Sequence, residues 1–320
     1  KYTYKNIYMK RFTNFFLKTP LKYGLNPTDS HAYFTNNHRP IKILNGNPSY
    51  INMLDSLYGY NLVLDIKKDL NKIASASYKH NSPAGVAFDN NIYDSLYNAR
   101  NCDSLSSFGD FVAVNDIVDV KSANYLKNQV SDGIIAPSFT NEALEILQKK
   151  KKGQYIILKA QFDTSWNTDV QIRSLYGTEL LQTRHNVFLN NITHPYVDSI
   201  KLGFNTCKYT QSNSIVIVYE NKCIGICAGQ QNRVGSIEIA GKKLNNYIEK
   251  YKLEDKIDYN KLVLVSDSFL PFKDNIDIAA KYNIKTIVSQ SGSIRDAEVI
   301  DYAKTLDIEF ITFTERLFLH

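Results

Sequence analysis

Near the end of the chain, short and almost fully apolar runs alternate with segments whose apolar residues recur at helical spacing. The runs 262–265, 286–289 and 309–313 are predicted strands, and the intervening segments 274–282 and 295–306 are predicted helices. Strands that are apolar on both faces and alternate with helices indicate a largely parallel sheet that is covered on both sides. Ligands bind in the loops at the carboxyl ends of such strands, so these loops are the first candidates for a site.

Similar elements are predicted upstream. The longest helical patterns cover 51–70 and 233–251, where apolar residues return every three or four positions. Further helices are predicted at 93–100, 118–129, 142–148 and 197–208. Further strands are predicted at 41–44, 73–77, 112–114, 134–136, 155–158, 215–219 and 223–227. Few periodic signals occur between 159 and 196, so we divide the chain into a lead-in segment, 1–20, a first half, 21–185, and a second half, 186–320.

The composition is that of a globular protein and excludes few functions. Of 320 residues, 43% are hydrophobic and 22% are charged, and the net charge of +6 fits an anionic small molecule as well as a nucleic acid, so it decides little. No apolar run approaches the ~20 residues of a membrane span, and no basic segment interleaves with aromatic residues as in nucleic-acid binding. The basic run 149–152 is expected in solvent. The four irregularly spaced cysteines fit reduced, buried thiols in a cytoplasmic protein.

The segment 77–85 carries the most distinctive chemistry. Lys79 and His80 are adjacent, and Pro83 and Gly85 indicate a turn that closes the segment as a loop. An ammonium beside an imidazole favours the neutral imidazole, which can accept a proton. The same ammonium can stabilise a negative charge that develops nearby. The pair is therefore either a general base beside an oxyanion stabiliser or two polar residues in a solvated loop.

The segment 79–85, Lys-His-Asn-Ser-Pro-Ala-Gly, resembles the Lys-His loop of AICAR transformylase. That enzyme is the formyltransferase half of a bifunctional purine-biosynthesis protein that also carries IMP cyclohydrolase. Further blocks match the same family in the same order: 22–27, 105–111, 131–137, 208–214 with 225–233, and 266–295 with 316–320. Six blocks in order are a specific signal, so the chain resembles this family from about residue 22 to its end.

The resemblance implies an α/β fold of two tandem cytidine-deaminase-like αβα subdomains with mixed, largely parallel sheets. It implies that a formyl group passes from the co-substrate 10-formyltetrahydrofolate to the 5-amino group of AICAR. The products are formyl-AICAR and tetrahydrofolate, at a late step of de novo purine (IMP) biosynthesis. By the same resemblance, His80 removes the amine proton, Lys79 stabilises the tetrahedral intermediate, and Asn213 positions the amine and the formyl oxygen.

The matching blocks also imply ligand contacts. The residues implied for AICAR are Lys22, Tyr23, Gly109, Asp132, Phe269 and Arg316. The residues implied for folate are Leu105, Arg233, Val234, Pro271, Phe272, Asp274, Ser293 and Ile294. Ser293 and Ile294 open a predicted helix, where free backbone N–H groups favour an acceptor. A potassium site is implied at Thr210, Ser212, Ser214 and Asp267.

Several positions depart from the family pattern. Thr28 and Asp29 stand where the family usually has His and Gln, and Lys273 stands where it has Arg, which removes a bidentate donor. The resemblance also implies a homodimer with active sites at its interface. About twenty residues precede the Lys22 block, so either the chain is a stand-alone transformylase beside a separate IMP cyclohydrolase, or an upstream half was removed.

Two other functions compete with the formyltransferase. A zinc hydrolase follows from the relationship of the fold to cytidine deaminases, but that chemistry needs His-x-Glu and Pro-Cys-x-x-Cys, and neither occurs. A non-catalytic nucleotide- or folate-binding module is the other alternative, and the departures at 28, 29 and 273 favour it. The joint retention of Lys79, His80 and Asn213 favours catalysis, so the prediction is a formyltransferase that uses no zinc.

Overall fold

The computed structural model describes residues 18–28, 32–35, 41–160 and 170–320. Residues 1–17, the larger part of the predicted lead-in segment, and Asp29, one of the departures from the family pattern, lie outside the described residues. No helix within these ranges is both long and apolar enough to cross a membrane.

The described residues form eight α-helices and fifteen β-strands. The helices are α1 (Tyr50–Leu70), α2 (Ile92–Cys102), α3 (Val120–Lys127), α4 (Asn141–Gln148), α5 (Val197–Lys208), α6 (Arg233–Tyr251), α7 (Lys273–Lys281) and α8 (Asp296–Thr305). The strands of the first half are β1 (Lys18–Pro20), β2 (Tyr33–Thr35), β3 (Ile41–Asn45), β4 (Ile73–Lys79), β5 (Ser82–Asp89), β6 (Asp110–Val114), β7 (Ser131–Ala136), β8 (Ile156–Ala160), β9 (Val170–Leu175) and β10 (Thr178–Thr183). The strands of the second half are β11 (Ile215–Tyr219), β12 (Lys222–Cys227), β13 (Leu262–Ser266), β14 (Thr286–Gln290) and β15 (Glu309–Phe313).

Eleven of these strands form one mixed sheet. Its order is β15-β14-β13-β11-β12-β5-β4-β6-β7-β8-β3, and the order β12-β11-β13-β14-β15 of the second half repeats the order β5-β4-β6-β7-β8 of the first. The last three strands of each run are parallel, and the two halves meet where β5 and β12 pair antiparallel. The predicted α/β class with a mixed sheet is confirmed.

Helices cover both faces of the sheet. Alternate residues of β13 belong to different cores, because Val263 and Val265 pack beneath α1 and α5, whereas Leu262 and Leu264 pack against the helices of the other face. On that other face, α6, α7 and α8 cover the second half, and α2, α3 and α4 cover the first. The core beneath α1 and α5 runs through both halves, so the same hydrophobic contacts hold them together.

The structure differs from the sequence prediction at several elements. The pairs β1–β2 and β9–β10 were not predicted. The predicted loop 77–85 contains only a tight turn, because β5 begins at Ser82 and runs through Pro83 and Gly85. Gly85 is required there for close packing, since a Cβ at this position would lie 2.2 Å from the carbonyl oxygen of Ala99 in α2. The basic run 149–152 is not fully solvated either, because Lys150 is only 8% exposed and donates to the carbonyl of Gln129.

Candidate active site

The predicted site residues lie at one edge of the large sheet. Lys79 ends β4, and the register places the first residues of β6 and β7 beside that end. In the second half, β11 begins at the same edge, where Ile215 lies opposite Cys227 at the end of β12 and Ser266 at the end of β13. We call this side of the sheet the Lys79 edge. The first half therefore contributes the amino ends of its parallel strands, and the second half contributes the carboxyl ends.

The turn between β4 and β5 presents Lys79 and His80 differently. Only His80 and Asn81 connect the two strands, and their φ angles of 55° and 59° lie in the left-handed region that non-glycine residues adopt less readily. The imidazole of His80 is exposed. The ammonium of Lys79 is held at 2.7 Å from the carbonyl oxygen of Phe108, which leaves two N–H bonds for a ligand.

A buried carboxylate lies beneath this turn. Asp55 of α1 is 4% exposed, and its Oδ1 accepts the backbone N–H of Asn81 at 2.7 Å. Burial raises the pKa of Asp55 to about 6, although the N–H of Asn81 and the charge of His80 act to lower it. The sequence analysis missed Asp55, because an isolated Asp within a helical pattern gives no signal of its tertiary partner.

A second buried network supports the loop before β6. Arg100 of α2 binds both carboxylate oxygens of Asp110, at 2.9 and 3.2 Å, and donates to the carbonyl of Ser107 at 2.9 Å. Ser77 of β4 donates to the same carboxylate at 2.7 Å. Burial raises the pKa of Asp110, against the opposing effect of Arg100. The network therefore ties the end of β4 to the loop that carries Gly109.

The other candidates of the first half surround the turn. Gly109 has a φ of 79° and its N–H donates to the carbonyl of Val130, and open space surrounds the position of a Cβ. Leu105 is 86% exposed. Asp132, which follows the first residue of β7, pairs with Lys151 at 2.6 Å. The register of β4, β6 and β7 places Asp132 at the same edge of the sheet as the Lys79–His80 turn.

Lys22 and Tyr23 reach the same edge through the start of α1. The N–H of Lys22 donates to the carbonyl of Pro48 at 3.0 Å, and the N–H of Tyr50 donates to the carbonyl of Tyr23 at 3.1 Å. The start of α1 is itself fixed by a capping box between Ser49 and Asn52. The Lys22 side chain is exposed, with its ammonium 5.7 Å from the centre of the Tyr23 ring, so it is accessible to an anion.

In the second half, the chain's last residues join the loop that carries Asn213. The N–H of Ser212 donates to the carbonyl of Leu319, and the Ser212 hydroxyl accepts the N–H of Leu319. The N–H of Asn213 donates to the carbonyl of Gln230, at 2.9 Å, and the preceding peptide bond is cis. These contacts place the half-buried Asn213 beside the residues that precede α6.

Arg233 and Arg316 lie on the same aromatic ring. The guanidinium groups are 5.8 Å and 4.6 Å from the centre of the Phe318 ring. Arg233 also pairs with the buried carboxylate of Asp267, whose other oxygen accepts the N–H of Ser214 at 3.0 Å. Two predicted ligand contacts, from α6 and from the end of the chain, are therefore neighbours.

The folate candidates form an exposed surface that follows β13 and β14. Asp274 is exposed, Pro271 is half-buried, and Phe272 is 51% exposed. Phe269, which is implied for AICAR, is exposed in the same segment. Val234 is half-buried and packs on the core of the second half. The departure Lys273 pairs with Glu298 at 3.1 Å.

Some of the backbone N–H groups before α8, which were expected to be free, donate hydrogen bonds within the protein. Ile294 is fully exposed, but the N–H of Ser293 donates to the Asp296 carboxylate at 3.2 Å, and so does the N–H of Gly292 at 2.6 Å. The prediction that the amide of Ser293 is free is therefore wrong. The physical reason is that Asp296 satisfies the loop before its own helix, as an N-terminal carboxylate commonly does.

The residues implied for potassium lie together. Ser214 N–H donates to Asp267, the hydroxyl of Ser212 accepts from Leu319, and the hydroxyl of Thr210 donates to the carbonyl of Thr206. The buried hydroxyl of Ser214 has no hydrogen-bond partner among the described residues. An orphaned hydroxyl beside a carboxylate and a second hydroxyl oxygen is a donor set that fits a hard cation.

The two groups of candidates are separated within one chain. Between β4, which carries Lys79, and β11, which follows Asn213, lie β5 and β12. Three inter-strand steps correspond to about 14 Å. The candidates of each half therefore lie on their own part of the Lys79 edge, and the hydroxyl of Tyr78 links the two parts by donating to the carbonyl of Tyr209 at 2.6 Å.

The fold and this edge define an α/β protein of two similar halves with a Lys-His turn on one and an Arg–Asp pair on the other. Residues 3–243 match the AICARFT/IMPCHase bienzyme family, and the chain belongs to that family. The predicted family is thereby confirmed.

Curated relatives in Prochlorococcus marinus carry the name bifunctional purine biosynthesis protein PurH. The relative in strain AS9601 is 35% identical over 85% of this chain and 53% of its own length. The relative in strain MIT 9215 is 33% identical over 97% of this chain and 62% of its own length. The chain thus spans little more than half the length of these relatives.

Proposed function

We propose that this chain transfers the formyl group of 10-formyltetrahydrofolate to the 5-amino group of AICAR, as a phosphoribosylaminoimidazolecarboxamide formyltransferase of purine biosynthesis. Membership of the AICARFT/IMPCHase family supports the reaction class. The single observation that carries the proposal is the turn that holds Lys79 and His80 beside Gly109 and Asp132 at one edge of the sheet.

The reaction needs a base because the amine is a poor nucleophile. Its lone pair is conjugated with the imidazole and the carboxamide, so loss of its proton and formation of the C–N bond must be coordinated. In the proposed step, the AICAR nitrogen attacks the formyl carbon and its proton passes to His80. The bond from the formyl carbon to N10 then breaks, and N10 takes up a proton as tetrahydrofolate leaves.

Lys79 suits the stabilisation of the intermediate. Its ammonium is oriented by the carbonyl of Phe108 and retains donors for the oxyanion that develops on the formyl oxygen. Asn213 carries an amide that can orient the amine and the formyl oxygen. The contribution of the proton transfer alone is typically ~10²–10⁴-fold.

The anionic substrate finds cations at both parts of the edge. Lys22 is exposed at the start of α1, and the exposed Arg316 is stacked on Phe318. We assign these two to the phosphate of AICAR, and Tyr23, Gly109, Asp132 and Phe269 to the rest of the nucleotide. We assign the folate to Leu105, Arg233, Val234, Pro271, Phe272, Asp274, Ser293 and Ile294. At Ser293 the hydroxyl serves as the contact, because its amide is occupied.

We also propose a homodimer in which each active site combines the two groups from different chains. The separation of about 14 Å between β4 and β11 supports this assembly, since a second copy can bring its Asn213 loop to the Lys79–His80 turn. A potassium ion held by Thr210, Ser212, Ser214 and Asp267 would add oxygen contacts that stabilise the loop that carries Asn213.

One assay tests the proposed function. Purified protein is incubated with 10-formyltetrahydrofolate, with and without AICAR, and the release of tetrahydrofolate is followed together with the appearance of formyl-AICAR. The proposal expects both products in equal amounts, and only when AICAR is present. Binding of AICAR without either product would instead favour a non-catalytic binding module.

A further inference from the structure

The environment of Asp55 identifies it as the group that supports the Lys79–His80 turn from below. The side chain is 4% exposed, and Oδ1 accepts the N–H of Asn81 at 2.7 Å. The titratable groups that face it are His80 from the turn, Asp132 from β7 and Tyr78 from β4. Within the described ranges, Asp55 forms no ion pair with Lys or Arg. A buried carboxylate without a cation is unfavourable, so a structural purpose alone explains it poorly.

The turn itself needs such support. His80 and Asn81 are consecutive non-glycine residues, and their φ angles of 55° and 59° lie in the left-handed region. Glycine is favoured in this region. A charged acceptor beneath the turn favours this conformation, because hydrogen bonds to ionised groups are stronger than those between neutral groups. The conformation in turn determines where the imidazole of His80 points.

We propose that Asp55 is a positioning residue, which holds the Lys79–His80 turn in its reactive geometry by accepting the backbone N–H of Asn81. This inference rests on the proposed function, since it assigns a role in formyl transfer. Asp55 acts through the turn and does not touch the substrates. A displacement of the imidazole by about 1 Å can lower a rate by ~10²-fold, so the support of the turn matters for turnover.

The support depends on ionisation. Burial raises the pKa of Asp55 to about 6, so the negative acceptor is lost just below neutral pH. The acid side of the kcat/KM profile should therefore include the ionisation of Asp55 in the wild type. Without an ionisable Asp55, the acid side should lose this contribution and become shallower.

The test compares Asp55→Asn with Asp65→Asn in the full chain. Asp65 lies on the same helix and is equally buried, but its partners are Lys208 and Tyr209, at 2.9 and 2.7 Å. For D55N we expect kcat to fall by ~10²-fold, with AICAR affinity by calorimetry within about threefold of the wild type. The acid limb of the kcat/KM profile should lose the ionisation of Asp55 and so be shallower than in the wild type. D65N should keep the wild-type profile, whatever it does to stability.

Each outcome decides between defined alternatives. D55N with wild-type kcat and an acid limb as steep as that of the wild type would overturn the role of Asp55. Loss of activity with an unchanged acid limb and weakened AICAR binding would indicate a merely structural residue, and would also overturn it. Absence of formyl transfer in the wild type would instead refute the proposed function. If D55N fails to fold by circular dichroism, Asp55→Ser, which keeps a small neutral acceptor, is measured in the same way.

Discussion

At the scale of residues, the proposed mechanism divides two tasks between the neighbouring side chains of Lys79 and His80. The ammonium of Lys79 is fixed by the carbonyl of Phe108, whereas the imidazole of His80 projects from the turn into solvent. A fixed cation suits electrostatic stabilisation, because it needs no reorganisation when charge develops. An accessible imidazole suits proton transfer, because it must meet the proton of an incoming amine.

Replacement of His80 by Ala should remove the base without removing the binding surface. We expect kcat to fall by ~10²–10⁴-fold, while AICAR binding by calorimetry is largely retained. The matched control is His194→Ala, because His194 contacts Glu309 at the opposite edge of the sheet and should retain wild-type turnover. Full activity in H80A would exclude His80 as the base.

The ionisation of Asp55 should lower the free energy of unfolding as pH rises. Its pKa is about 6 in the folded chain against an ordinary value of 3.8. A carboxyl group whose pKa is raised by folding contributes stability below the ordinary value, and that contribution is lost as pH rises through 6. Between pH 4 and pH 8, the free energy of unfolding of D55N should therefore gain about 2 kcal/mol relative to wild type.

Urea titrations of both proteins across this pH range measure the difference. A residue that lowers activity when replaced but raises stability at pH 8 is retained for function and not for folding. A D55N protein that is less stable than wild type at pH 8 would contradict the buried, unpaired state of this carboxylate.

The residue scale also shows what the sequence could reveal. Lys79 and His80 were identified because they are adjacent within a recognisable motif. Asp55, Arg100 and Asp110 were not, because each lies within an ordinary helical or strand pattern and acquires its role only through a tertiary contact. Hydrophobic periodicity indicates which face of an element is buried, but it does not indicate which buried polar side chains form hydrogen bonds with each other.

At the scale of elements, strands that are buried on both faces were predicted correctly. A strand whose position depends on close packing against a helix backbone was missed. The strands β13 and β14 were predicted because they are short apolar runs between helices. The strand β5 was missed because Pro83 and Gly85 normally indicate a turn. In this fold Gly85 is instead a point of close approach between a strand and α2, which no local pattern can show.

The two halves repeat this close approach. A Cβ at Gly85 would lie 2.2 Å from the carbonyl oxygen of Ala99, and a Cβ at Gly225 of β12 would lie 2.5 Å from the carbonyl oxygen of Ala240. Both contacts are with helix backbone, which yields little. Gly85→Ala and Gly225→Ala should each lower the free energy of unfolding by about 1–3 kcal/mol.

The control for these variants is Gly235→Ala in the first turn of α6. Its nearest neighbour is the Asn232 side chain, at 3.1 Å, and Ala is favoured over Gly in a helix by about 1 kcal/mol. G235A should therefore be neutral or slightly stabilising in urea titration. Equal stabilities of G85A, G225A and the wild type would show that the strands and helices separate easily at these points.

At the scale of the whole molecule, the fold places the candidate site residues of both halves at the Lys79 edge, but two strands lie between the two groups. The halves have the same strand order and join through β5 and β12. That junction places two strands between the Lys79–His80 turn and the loop that carries Asn213. The proposed chemistry needs a base and a positioning amide on the same reacting atoms, so this arrangement supports the proposal that a second chain completes each site.

Mixing of two inactive variants tests this assembly. If each site takes His80 from one chain and Asn213 from another, H80A and Asn213→Ala should each be inactive, whereas a mixed dimer has one intact site. Random reassociation should restore about a quarter of wild-type activity, because half of the dimers are mixed and each has one of two sites intact. Distinct affinity tags confirm that mixed dimers form. If they form without recovery of activity, both residues act within one chain. A fully active monomer in sedimentation would refute the dimer itself.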